Sequence, residues 1–148
     1  MPRKKVNPAV AGMRAIKFTP HMIKQMKAIQ KARGVEKRSA VVRLALEEWA
    51  AALQGGELLR ARDVENWVNA YVVEAYAQDD EPNMVGVYFA DSTAKAMSVC
   101  GAALVEMKSK VPALRTVLTT WSRTYNRPLL IALAFEWLLD HMQYEGVH

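Results

Sequence analysis

The residues in this sequence best equipped for chemistry are cations, and they are unevenly placed. Residues 1–43 hold twelve Lys and Arg, among them Arg3-Lys4-Lys5, Arg14, Lys17 and Lys37-Arg38, against the single acid Glu36. The remainder holds eight bases against fourteen acids, so the formal net charge of +5 conceals two segments of opposite sign. Guanidinium and ammonium groups massed in this way suit ionic contact with a polyanion, and nucleic acid or an anionic membrane surface are the usual candidates. The basic arm lacks the large apolar residues that insert into a bilayer, which favours nucleic acid and no membrane partner.

Other chemistry finds little support. His21, His141 and His148 are scattered, with no partner at metal or triad spacing. There is no phosphate loop, nucleophile elbow or paired-carboxylate motif, so the sequence reads as a non-enzyme with no metal and no cofactor. Asp79-Asp80-Glu81 lacks the spacing of a calcium loop and reads as a solvated acidic linker. Cys100 rules out an internal disulfide and fits a reducing compartment; in its Ala-rich helical pattern it reads as a small packed residue. No run of about twenty apolar residues exists, and "MPRKKVNPAVAGM" lacks the apolar stretch of a secretory signal. A cytoplasmic location is the expectation.

The elements that must position the cations follow from periodicity. Residues 1–12 read as a flexible basic arm. "RAIKF" alternates, with Ile16 and Phe18 on one side and Ala15 and Lys17 on the other, as a short strand does. Thr19-Pro20 supplies an N-cap oxygen and a favoured first helical residue. The helix that follows carries Met22, Ile23, Met26 and Ile29 at spacings of three and four, with Lys24, Lys27 and Lys31 on the other side, and stops at Gly34. A second helix from Arg38-Ser39 bears Val41, Val42, Ala45, Leu46, Trp49 and Leu53, an apolar surface too wide for one neighbour. Residues 57–78 predict a third helix with Leu59, Val64, Trp67, Val68, Tyr71 and Val72 inward, and 79–83 a linker.

After the linker the series starts again. "MVGVYF" alternates, Asp91 or Ser92 can cap, "STAKAMSVCGAALVEMKSK" predicts a small-residue helix, then come "VPALRTVLTTW" and "RPLLIALAFEWLLDHM" over 127–143. An offset of 71 to 72 residues superposes Phe18 on Phe89, Met26 on Met97, and Arg43, Leu46 and Trp49 on Arg115, Leu118 and Trp121. That pattern predicts a duplicated strand-plus-three-helix unit, the second over 84–124 plus the last helix. A rival register, offset 89, sets "RSAVVRLALEEWA" on "RPLLIALAFEWLL" and would make "ALVEMK" the strand, with Glu106 outward. A carboxylate aimed at phosphate is a poor choice, so the first register is preferred.

A short alternating strand, a capped amphipathic helix, a glycine turn and a second helix opening with Ser and ending in "ALEEW" resemble the ribbon-helix-helix family, the class of the Arc and MetJ repressors. The resemblance covers residues 13–53 and extends to 84–124. It implies a mainly α fold with a short antiparallel two-stranded ribbon and about six helices. It also implies self-association, as an intramolecular pseudo-dimer or a homodimer, and double-stranded DNA as partner, the ribbon lying in the major groove. Ile16 and Phe18 match the family's inward positions. Lys17, Ala15 and Met13 match the outward ones that read base edges, with Arg14 beside them and Tyr88 and Gly86 on the second strand. Ala15 and Met13 depart from the family's usual polar readers. Lys37, Arg38 and Ser39 match the phosphate clamp at the second helix, a placement the helix dipole favours independently. The arm residues Arg3, Lys4 and Lys5 would add phosphate contacts.

The expected function is therefore sequence-specific duplex binding, with transcriptional repression first. An accessory role in plasmid maintenance or conjugative DNA transfer follows by analogy with tandem members of the family. A third reading is an antitoxin-like protein whose C-terminal half binds a protein partner. Trp121, Phe135 and Trp137 in that half argue instead for a self-contained core, although the apolar last helix could serve as an oligomerisation surface.

Overall fold

The computed structural model describes residues 12–75, 83–118 and 127–144. Among these the order is β1 (Gly12–Phe18), α1 (Pro20–Arg33), α2 (Arg38–Gln54), α3 (Ala61–Ala75), β2 (Asn83–Phe89), α4 (Asp91–Glu106), α5 (Pro112–Leu118) and α6 (Arg127–Tyr144). The chain is mainly helical, with one two-stranded antiparallel sheet made by β1 and β2. The basic arm, nearly all of the acidic linker and Trp121 lie outside the described residues.

Local chemistry explains the first elements. Thr19 Oγ1 accepts the Met22 N–H at 3.1 Å, and the Met22 sulfur accepts the Thr19 N–H at 3.5 Å, a capping box in which a thioether stands where Glu or Gln is usual. Pro20 occupies the first turn, where its missing N–H costs nothing. Gly34 closes α1 at φ 66, a left-handed conformation that a side chain would strain, and the Val35 N–H returns to Gln30 O at 3.1 Å. The cap expected at Asp91 or Ser92 is not made: both lie inside α4, whose N-cap is Ala90 without a side-chain bond, and Ser92 donates its hydroxyl instead to Glu47 of α2 at 2.8 Å, as Thr93 does at 3.4 Å.

The core is built by helices that cross between the two strand-bearing halves. α2 packs on β2 and α4, while α6 packs on β1 and α1, and α2 and α6 pack on each other. The wide apolar surface of α2 is thereby used: Val41, Val42, Ala45, Leu46, Trp49 and Ala50 are all buried. In α6 every residue from Leu129 to Phe135 is buried, as expected of a helix surrounded on all sides. Phe135 meets Phe18 edge-on, ring centroids 6.0 Å apart. That helix is central to the chain, and its residues from Leu129 to Phe135 are buried against this chain's own elements.

The place of α6 revises the predicted registers. The expected counterpart of α2, residues 111–121, contains α5, whose packing partners are α3 and α4. It is α6 that lies against β1 as α2 lies against β2. At offset 71 the buried Ile16, Phe18, Met26 and Ile29 fall on the buried Val87, Phe89, Met97 and Cys100. At offset 89 Arg38 falls on Arg127, the first residues of α2 and α6, and the buried Val41, Val42, Ala45, Leu46 and Trp49 fall on the buried Leu130, Ile131, Ala134, Phe135 and Leu138. Buried positions thus coincide at offset 71 for the strand and first helix and at offset 89 for α2 and α6, with α5 lying in the longer α4-to-α6 connection. The strand "ALVEMK" required by the second register alone is not formed; those residues end α4 and turn out of it.

The third helix begins at Ala61 rather than 57, because Gly55 and Gly56 turn the chain, Gly56 at φ 105, and Glu57 is drawn to α6. Trp137 Nε1 donates to Glu57 Oε2 at 2.7 Å, and His141, stacked on Trp137 with centroids 3.9 Å apart, lies 3.2 Å from the same oxygen. Cys100 is buried, and that burial pushes its thiol up to about 12, so it packs as a small apolar residue.

At the α1–α6 contact, burial pushes the Glu136 carboxyl above the ordinary carboxylate range, against the opposing pull of His21, 3.3 Å away, and hydrogen bonds from His21 and Gln25. The folded chain then holds a proton that the unfolded chain has released, so stability from this group is fully present at low pH and is lost as pH rises through that window. Urea denaturation across pH should show Glu136→Gln gaining on wild type above the ordinary carboxylate range; parallel profiles would exclude this role.

Candidate nucleic-acid interface

The alternation of each strand separates a buried face from an exposed one. Ile16, Phe18, Val85, Val87 and Phe89 point into the core, and Met13, Ala15, Lys17, Met84, Gly86 and Tyr88 point outward. The register sets Met13 opposite Tyr88, Ala15 opposite Gly86 and Lys17 opposite Met84. Both strands are seven residues long and each ends one residue before its helix, so the ribbon is supported alike at both ends.

The outward face carries one formal charge, that of Lys17, and no carboxylate. Its rim is basic on the side of the first unit. Lys37 and Arg38 are exposed at the start of α2, which begins in extended backbone at Lys37 and so leaves its first N–H groups facing outward. Lys24, Lys27 and Lys31 are exposed along α1, opposite its buried Met22, Met26 and Ile29. Arg33 is engaged with Glu48, which ties the end of α1 to α2.

The structure brings Lys17, Ala15, Met13 and Tyr88 onto one surface, and sets Lys37, Arg38 and Ser39 beside its Tyr88 end. Ser39 is more than a clamp in waiting: its hydroxyl oxygen accepts the Tyr88 N–H at 2.8 Å, fastening the start of α2 to the edge of β2. The hydroxyl proton remains to be donated. Arg14 stands apart from the other expected readers. It has the parity of Ile16 and Phe18 rather than of Lys17, it is half-buried, and its guanidinium turns back to Met13 O at 3.0 Å. Arg127 lies near it, 5.8 Å above the Phe89 ring; burial and then the Arg14 charge depress its pKa. Arg3, Lys4 and Lys5 fall outside the described residues.

Sequence reasoning missed Met84 as an outward residue, although counting alternately from Val85 would have found it. It also missed the second use of Ser39, which depends on a strand forty-nine residues away and leaves no local signal. His21, without a partner at motif spacing in the sequence, is half-exposed but tied down, its backbone N–H donating to Glu74 at 2.9 Å and its ring reaching Glu136.

A cleft of about 370 Å³ at the other end of α6 is lined by Glu57, Asp63, Trp67, Trp137 and Asp140 among others. Its carboxylates Glu57 and Asp140 are hydrogen-bonded to the indoles of Trp137 and Trp67, as befits a joint between α6 and the α2–α3 segment. Among the described residues no group of three or more His, Cys, Asp and Glu could hold a metal ion, and no helix is long and apolar enough to cross a membrane. The chain matches no family model, and no curated protein or solved structure is significantly similar to it.

The Ser39 contact gives a direct test of the ribbon's support. Ser39→Ala removes the acceptor of the Tyr88 N–H and should lower stability by about 1 kcal/mol in urea denaturation, with Ser39→Thr close to wild type; an Ala variant as stable as wild type would show that the contact contributes nothing.

Proposed function

We propose that this protein binds double-stranded DNA sequence-specifically by laying the β1–β2 ribbon in the major groove, as a single-chain ribbon-helix-helix pseudo-dimer. Its halves are β1–α1–α2 and β2–α4–α6, related as duplicated units, with α3 and α5 as additions. The observation that carries this reading is the ribbon itself: two antiparallel strands of one chain, backed by interlocked helices, present an acid-free outer face beside a basic rim. A two-stranded ribbon fits the major groove, about 12 Å wide, where each base pair shows a distinct pattern.

In this arrangement Lys17 donates to guanine O6 and N7, while Lys37, Arg38 and the start of α2 hold a flanking phosphate. At offset 71 Met13 falls on Met84, but Ala15 falls on Gly86 and Lys17 on Tyr88, so two of the three outward positions differ and the site read is asymmetric rather than strictly palindromic. Occupying a groove needs no catalytic group, which makes repression of transcription the first biological role, with an accessory part in plasmid maintenance or DNA transfer the second. The antitoxin reading loses ground, because α6, the main apolar element of the C-terminal half, is already covered by this chain's own α1, α2 and α3.

The test is fluorescence anisotropy on duplex selected by the protein from a random pool. Affinity should fall steeply with salt, and Lys17→Ala should cost roughly 1–3 kcal/mol on the selected site with little effect on random duplex. Unchanged specific affinity in the variant would sink the assignment of Lys17.

A further inference from the structure

We infer that, beside the single hydrogen-bonding reader Lys17, the ribbon reads its site through the C5-methyl groups of pyrimidines, thymine above all. This rests on the groove-binding reading and names what the groove must present. Of the six outward residues only Lys17 and Tyr88 have polar side-chain atoms. Met13 and Met84 stand 63% and 53% exposed, large apolar side chains held out in water on the same face. Exposed apolar groups gathered on one functional face mark a contact surface.

The register arranges them for this use. Met13 and Met84 belong to opposite strands and stand toward opposite ends of the ribbon, with the short Ala15–Gly86 pair between them. From Met13 to Lys17 the strand advances four residues, roughly 13 Å, or about four base-pair steps at 3.4 Å each. In the major groove the apolar feature of a base edge is the thymine methyl, and cytosine acquires the same feature only when methylated at C5. The thioether is long, unbranched and polarizable, able to settle against a methyl without a fixed geometry.

Charge decides between DNA and a protein as the occupant. The face has no carboxylate, its one charge is Lys17, and Lys37 and Arg38 are exposed at the rim beside Tyr88, a complement to the phosphates along that side of a groove. The centre of the ribbon permits close approach. A Cβ placed on Gly86 would meet nothing nearer than the Met13 sulfur at 3.8 Å, and the residue does not need a positive φ, so the fold itself would accept alanine there. The bare backbone at Gly86 is therefore an opening toward the base edges rather than a requirement of folding.

The experiment uses the full chain and its selected duplex, with thymines replaced one at a time by uracil, which keeps every hydrogen-bonding group and loses only the methyl. Each contacted position should weaken binding about fourfold, the worth of one buried methylene. Met13→Ala or Met84→Ala should abolish the sensitivity at the position it faces, and Gly86→Ala should melt as wild type does but bind less tightly. Where a contacted T·A pair is exchanged for C·G, methylating that cytosine at C5 should recover about fourfold, which separates the methyl from the rest of the thymine. Selective binding indifferent to every uracil would overturn this inference and leave groove binding standing. Failure to bind any duplex would remove the groove reading beneath it. A concentration-dependent self-association abolished by Met84→Glu would show that the face is a protein contact, and would overturn both.

Discussion

The pairing of β1 with β2 is the constraint on which the rest of the molecule depends. An isolated two-stranded ribbon is at best marginal in water, since one of its faces must be buried to hold it. Here that face, Ile16 and Phe18 from one strand with Val85, Val87 and Phe89 from the other, is sealed by helices from both halves of the chain. The sealing is crosswise: α2 follows β1 yet packs on β2, and α6 follows β2 yet packs on β1. Neither half can bury its own apolar surface, which is why α2 is apolar on too many sides for a free-standing unit and why α6 is apolar all round.

That crosswise burial also explains what the sequence could and could not disclose. The strand alternation, Thr19-Pro20, Gly34 and the face of α1 are local signals, and each is found where its chemistry requires. The place of α6 was hidden, because its residues from Leu129 to Phe135 are all buried and so show no amphipathic period to compare with α2. The 89-residue superposition was visible, but tying it to a strand at the same offset made it look unsound. The buried positions line up at one offset for the strand and first helix and at another for α2 and α6, with α5 between.

The candidate interface divides in the same way. Alternation disclosed Lys17, Ala15 and Met13 as outward, and the composition of the first forty-three residues disclosed the basic sign of the rim. The engagement of Ser39 with Tyr88, and of Ser92 and Thr93 with Glu47, arises from tertiary neighbours that no local rule contains. Arg14 shows the opposite failure, for its charge suggested a reader while the period of two, properly applied, already turned it inward. The resulting surface is basic at its rim and apolar at its centre. In the proposed complex, affinity for a polyanion and discrimination among sequences come from different residues, the rim supplying the first and the ribbon's outer face the second.

The central claim is that one chain contains the whole ribbon, and the mass of the particle tests it most directly. Light scattering at low protein concentration, alone and with its duplex, should give one chain of 16.6 kDa free and one chain per duplex when bound. A free particle of twice that mass, stable on dilution, would contradict the account, because the second strand of the ribbon would then have come from another copy.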